Sequence, residues 1–134
     1  MKRFSICNSD ASILFELIQA PELNLNGMDY LAKIKYTHYE RSIFSERIWE
    51  LNPGDIHSFL YAMQSMNRYL KGQAVLSSLG DDTLRLTIDK IGHISVEIQD
   101  GIPSYDGYVQ ICFEIDQSFL PNLIDQVTAL CTSA

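Results

Sequence analysis

A chain of 134 residues with 46% hydrophobic and 20% charged side chains is long enough to bury one core and too apolar for a disordered segment, so a single domain over 1–134 is expected. Its net charge of −7 is unevenly spread: residues 1–80 hold eight acids and eight bases, whereas residues 81–134 hold nine acids against Arg85 and Lys90. Such a field repels phosphate backbones and attracts basic proteins, which argues against nucleic acid as a partner.

Phe4–Cys7 and Ser12–Ala20 predict the first two strands, the second stopped at Ala20-Pro21, and Asn24-Leu25-Asn26-Gly27 carries turn chemistry. Tyr30–Tyr39 alternates, with Leu31, Lys33, Lys35 and Thr37 on one side and Tyr30, Ala32, Ile34 and Tyr36 on the other. That period of two is a half-buried strand. Ser42–Leu51 alternates more weakly, Phe44 and Ile48 opposing Arg47 and Trp49. Asn52-Pro53-Gly54-Asp55 then opens a helix, with Asn52 as cap, Pro53 in the first turn and Asp55 at the positive end of the helix dipole. Ile56, Phe59, Leu60, Met63, Met66 and Leu70 follow at helical spacing, and Gly72 is expected as the left-handed cap that ends it.

Four more strands are predicted at Gln73–Leu79, Thr83–Asp89, His93–Gln99 and Tyr108–Ile115. They bury Leu84, Leu86 and Ile88, then Ile94, Val96 and Ile98, then Val109, Ile111, Phe113 and Ile115, and their short connections make an antiparallel meander. The last helix, about Ser118–Cys131, carries Leu120, Leu123, Ile124, Val127, Leu130 and Cys131 on one stripe, with Ser118 as its expected cap. The predicted class is α+β: an antiparallel sheet of about seven or eight strands with two helices packed on one face, in the order strands–helix–strands–helix. The other sheet face is left wet.

No apolar stretch approaches a membrane span, and Met1-Lys2-Arg3-Phe4 has neither an apolar run nor a small-residue cleavage site. Cys7, Cys112 and Cys131 are odd in number and lack CxxC spacing. Such thiols suit a reducing cytoplasm, where cysteine behaves as a small buried hydrophobe. No membrane partner and a cytoplasmic location are therefore expected.

Local signatures of catalysis are missing. His38, His57 and His93 have no second ligand at metal spacing, and neither a phosphate-binding glycine loop nor a GxSxG elbow is present. His57 lies two residues from Asp55, so on a helix the two point to different faces and His57 reads as a solvated first-turn residue. No catalytic, cofactor or metal residue is assigned. The enzyme alternative would use His93 with Glu97 or Asp89.

The wet sheet face and its adjoining turns offer a better surface. Asp81, Asp82, Asp89, Glu97, Asp100, Tyr105, Asp106 and Tyr108 make an acidic, tyrosine-bearing set suited to a basic protein partner. Tyrosine favours such contacts because it joins apolar area to a hydrogen-bonding tip.

Four stretches carry a family resemblance over roughly residues 53–131. They are Phe59-Leu60, Leu70-Lys71-Gly72-Gln73-Ala74-Val75-Leu76, Gly92-His93-Ile94-Ser95-Val96 and Phe113-Glu114-Ile115-Asp116-Gln117-Ser118-Phe119-Leu120. In them the chain resembles small bacterial immunity proteins of polymorphic-toxin and contact-dependent growth inhibition systems, in particular the WapI-like group. The resemblance implies a cytoplasmic protein that binds and neutralises a cognate toxin domain without chemistry of its own. It carries over no toxin-contacting residues. A basic toxin would be drawn rapidly to an acidic inhibitor. The alternative within the binding class is an adaptor or structural domain unrelated to toxins.

Overall fold

Two alternating blocks of sequence, each followed by a helical stripe, build two antiparallel meanders, each followed by a helix. The computed structural model describes residues 2–18, 30–39, 43–80, 82–101 and 108–132. The turn expected at Asn24–Gly27 and the loop residues 102–107 lie outside them. β1 (Lys2–Cys7), β2 (Ala11–Ile18), β3 (Tyr30–His38) and β4 (Ile43–Leu51) form the first sheet in that order. β5 (Gln73–Ser77), β6 (Thr83–Ile88), β7 (His93–Asp100) and β8 (Val109–Asp116) form the second. α1 (Pro53–Tyr69) follows the first sheet, and α2 (Leu120–Thr132) follows the second after a 3-10 turn at Gln117–Phe119.

The α+β class, the antiparallel pairing and the strands–helix–strands–helix order are as the sequence predicts. The strands nevertheless divide into two sheets of four instead of one continuous sheet. The reason lies in the connection: β4 reaches β5 through a seventeen-residue helix, not a hairpin. A main-chain bond from Leu79 N–H to Glu50 C=O (2.9 Å) joins the end of β4 to the turn after β5.

The helices cross over. α1, which follows the first sheet, lies against β5 of the second, and α2, which follows the second, lies against β1 of the first. The helices also lie against each other. The amide of Ser5 on β1 donates to Gln126 Oε1 on α2 (3.0 Å), and Asn8 Nδ2 donates to the Glu114 carbonyl on β8 (2.8 Å). Within the core Phe4 stacks on Phe15 with ring centroids 4.6 Å apart and meets Phe59 of α1 at 6.4 Å. Such aromatic pairs add about 0.5–1.5 kcal/mol beyond the area they bury.

On β4 Ile48 and Trp49 take opposite sides as the alternation requires: Trp49 and Leu51 point inward, while Ile48 is 56% exposed. The indole is the larger apolar surface, so its side is the buried one. Two local expectations are corrected. Asn52 caps α1 as expected, accepting from the Gly54 amide (2.8 Å), but the left-handed cap is Leu70 (φ 56°) and not Gly72. The Leu70 amide closes the helix on the Met66 carbonyl (2.8 Å), and its side chain is 53% exposed instead of buried. Ahead of the second helix the cap is Asp116, two residues before the expected Ser118: it caps the 3-10 turn Gln117–Phe119 that leads into α2, its carboxylate accepting from the Ser118 amide (3.0 Å).

Candidate partner-binding surface

Strand parity fixes what each sheet shows to solvent. In the second sheet Leu84, Leu86, Ile94, Val96, Ile98, Ile111, Phe113 and Ile115 face inward, so their sequence neighbours face out. Register then sets Arg85 opposite Glu97, Glu97 opposite Cys112, Ser95 opposite Glu114 and His93 opposite Asp116. Asp89, Glu97, Glu114 and Asp116 thus meet Arg85 and His93 on one polar face. His93 Nδ1 lies 3.7 Å from Glu114 Oε2, with both side chains largely exposed.

The outer face of the first sheet is different in kind. There Lys33 pairs with Glu46 (3.2 Å) and Lys35 with Glu16 (3.7 Å), so opposite charges cancel within the face. Ion pairs that keep part of their contact with water add little stability. Their main effect is to leave little field for a partner to sense.

The predicted contact residues separate into three groups. Asp81, Tyr105 and Asp106 lie outside the described residues. Asp89, Glu97 and Tyr108 belong to the outer side of the second sheet: Asp89 is exposed, and Glu97 and Tyr108 are half-buried. Asp89 Oδ1 also accepts from the amides of Ile91 and His93 (both 2.9 Å), and the Tyr108 hydroxyl accepts from Gln99 Nε2 (3.0 Å). Asp82 and Asp100 are committed to the structure. The half-buried Asp82 accepts from the Gly101 amide (2.8 Å) and the Ser78 hydroxyl (3.0 Å).

Asp100 is the clearest correction. It is only 5% exposed, and its Oδ2 accepts from the Tyr36 hydroxyl (2.6 Å) and the Trp49 indole N–H (2.8 Å). It extends the inward series Ile94, Val96, Ile98 by one step, so the strand's own parity turns it inward. That parity was the available signal, hidden by ending the strand at Gln99. Burial, and then the bond to Asp100, push the Tyr36 hydroxyl above its ordinary pKa. Asp116, by contrast, is held below its ordinary value by hydrogen bonds from the Ser118 side chain and amide.

The expected pairing of His93 with Glu97 or Asp89 is not the one formed. Four residues along a strand separate His93 from Glu97 by about 13 Å, and Asp89 engages the His93 amide instead of the ring. Cys7 is exposed instead of buried, and Cys112 stands exposed on the outer side of β8, opposite its buried residues, with its Sγ 3.8 Å from Ser95 Oγ. Among the described residues no group of three or more His, Cys, Asp and Glu could hold a metal ion, and no helix is long and apolar enough to cross a membrane.

Comparison with solved structures finds the same fold in plant proteins. The crystal structure of WHY3 from Arabidopsis thaliana matches with a TM-score of 0.53 at 9% identity, covering 98% of this chain and 86% of that one. The plant transcriptional regulator PBF-2 matches with a TM-score of 0.54 at 9% identity, covering 98% and 88%. WHY1 from Arabidopsis thaliana matches at 0.53 and 11% identity, covering 96% and 87%. At such identities the likeness is one of fold alone. No curated protein matches the chain in sequence. A family profile does match, over residues 15–133. The match begins within β2 and so takes in β3 and β4 of the first sheet as well as the residues 53–131 that carry the resemblance in the sequence. Its extent across both sheets and both helices shows that the chain belongs to the immunity protein WapI-like family.

Proposed function

We propose that this protein is a cytoplasmic immunity protein that neutralises a cognate bacterial toxin domain by binding it, with the outer face of the second sheet as the docking surface. Family membership supports the toxin as partner. The observation that carries the surface is the contrast between the two sheets: charges on the first cancel in pairs, whereas acids on the second outnumber their cations. An acidic face steers a basic toxin into encounter and fixes its orientation. Inhibition then follows from occupancy, and no bond is made or broken by the inhibitor. Contact-dependent growth inhibition and other polymorphic-toxin systems are the setting in which such a protein protects its own cell.

The test is co-expression with the protein encoded immediately upstream, as the candidate toxin, alongside a pull-down of that protein by this chain. Protection and a stable complex are expected. Unimpeded toxicity together with no capture overturns the reading. Protection lost on charge reversal at Glu46, but kept on reversal at Glu97 and Glu114, would move the interface to the first sheet.

A further inference from the structure

The outer face of the second sheet does not stop at its last pair, His93 and Asp116. Beyond Asp116 the surface falls into a depression of about 310 Å3. Its walls include Asn67 and Leu70 from the end of α1, Ile91 from the β6–β7 turn, Asp116 from the end of β8, and Ser118 and Pro121 from the start of the following helical segment. Asp116 therefore belongs to both the face and the depression.

Two large aliphatic side chains stand in water on these walls: Leu70 is 53% exposed and Ile91 is 76% exposed. A single exposed aliphatic residue is ordinary, but two flanking one carboxylate in a concave site are characteristic of a contact surface. Leu70 is also the only non-glycine residue with positive φ among the described residues. Glycine or asparagine normally fills such a helix-ending position, because an L side chain there crowds its own backbone. Folding thus gains little from a leucine at this place, whose side chain is neither buried nor conformationally favoured. Asp116 supplies the charge, kept ionised by the Ser118 hydrogen bonds. Among the described residues no cation lines the depression, and Ile91, Asp116, Ser118 and Pro121 all come from the segment that holds the chain's whole acidic excess.

We propose, resting on the function proposed above, that this depression receives an arginine or lysine side chain of the cognate toxin. The aliphatic stem lies between Leu70 and Ile91, and the cationic head meets the Asp116 carboxylate. Long basic side chains suit such a site because they join an apolar stem to a charged tip. The depression then acts as the anchor, while the sheet face above it sets the rate of encounter.

The experiment measures binding of the upstream-encoded toxin domain to the full chain and to four variants. Leu70→Gly removes the side chain while giving the left-handed position the residue it favours, so its melting temperature should equal or exceed that of the parent. Ile91→Ser removes the second wall. Asp116→Asn removes the charge but keeps an acceptor for the Ser118 amide. Each of these three should weaken binding at least tenfold, mainly through faster dissociation. Ile48→Ser, on the outer face of the first sheet, should bind within twofold of the parent. If the parent binds tightly while Leu70→Gly and Ile91→Ser bind within twofold of it, the anchor is overturned and the proposed function stands. If the parent does not bind the toxin, both fall. If instead Leu70→Gly abolishes self-association of the parent without changing toxin binding, the occupant is a second copy and the proposal is overturned.

Discussion

The Tyr36 hydroxyl on β3 donates a 2.6 Å hydrogen bond to the Asp100 carboxylate on β7, tying the first sheet to the second through a buried acid. Trp49 on β4 adds a second donor at 2.8 Å. Asp100→Ala should therefore strand two buried donors, each costing about 1–3 kcal/mol, and lower stability in urea by about 3 kcal/mol or more. Asp100→Asn keeps an acceptor and should cost less. A loss below about 1 kcal/mol for the alanine variant would show that water replaces the carboxylate.

The same bond makes alkaline stability a reporter of the sheet junction. The Tyr36 hydroxyl has a raised pKa in the folded protein, so above pH about 10 the unfolded chain releases this proton while the folded one retains it. Unfolding then becomes easier as pH rises, by up to about 1.4 kcal/mol per pH unit for this single group. Melts between pH 9 and pH 11, by about one unit on either side of an ordinary tyrosine value, should show the decline. In Tyr36→Phe the slope should flatten, although the variant begins from a lower stability.

Adjacent residues on β4 should respond in opposite ways. Trp49→Ala opens the core and removes a donor to Asp100, with an expected loss of about 3–5 kcal/mol. Ile48→Ala, on the solvent side, should stay within about 0.5 kcal/mol of the parent. Equal losses in a chemical denaturation series would mean that both faces of β4 are covered.

Salt should act on association far more than on dissociation. Exposed charges are screened over about 8 Å at physiological ionic strength, so the on-rate for a basic toxin should fall as salt rises. Glu97→Lys with Glu114→Lys should remove most of that dependence in stopped-flow measurements. Glu46→Lys should change it far less, because Glu46 lies on the outer face of the first sheet, away from the proposed docking surface. A salt dependence that survives the double reversal would place the steering charge elsewhere.

Alternation and helix signals carried most of the fold. Leu84, Leu86 and Ile88 point inward as their spacing requires, and Asn52 caps α1 because its amide oxygen reaches the Gly54 amide. On β4 the alternation separates Ile48 from Trp49 without saying which side is buried, and a distant partner decides it: Trp49 takes the inner face, where its indole finds Asp100 from another sheet. Division into two sheets was equally hidden, since an alternating pattern states which side is buried but not which strand lies alongside. Of the candidate surface, Asp89, Glu97 and Tyr108 were legible from parity. Asp100 falls on the inward parity of β7 once the strand is carried one residue past Gln99, but its donors, 51 and 64 residues upstream, leave no local signal. Leu70 was not legible as a surface residue, because its spacing matches the buried helical stripe.

The crossed helices bear on how the chain matures as it is made. β1 is the first of the described elements to be synthesised, and the helix that lies against it is the last. During that interval the first sheet lacks its α2 cover, and the Ser5 amide has no Gln126 to meet. Neither block can complete its packing alone, so the final docking must await nearly the whole chain. Under the proposed function, protection that depends on the finished surface begins only after translation has passed α2, a delay during which a toxin already present would go unopposed by this molecule.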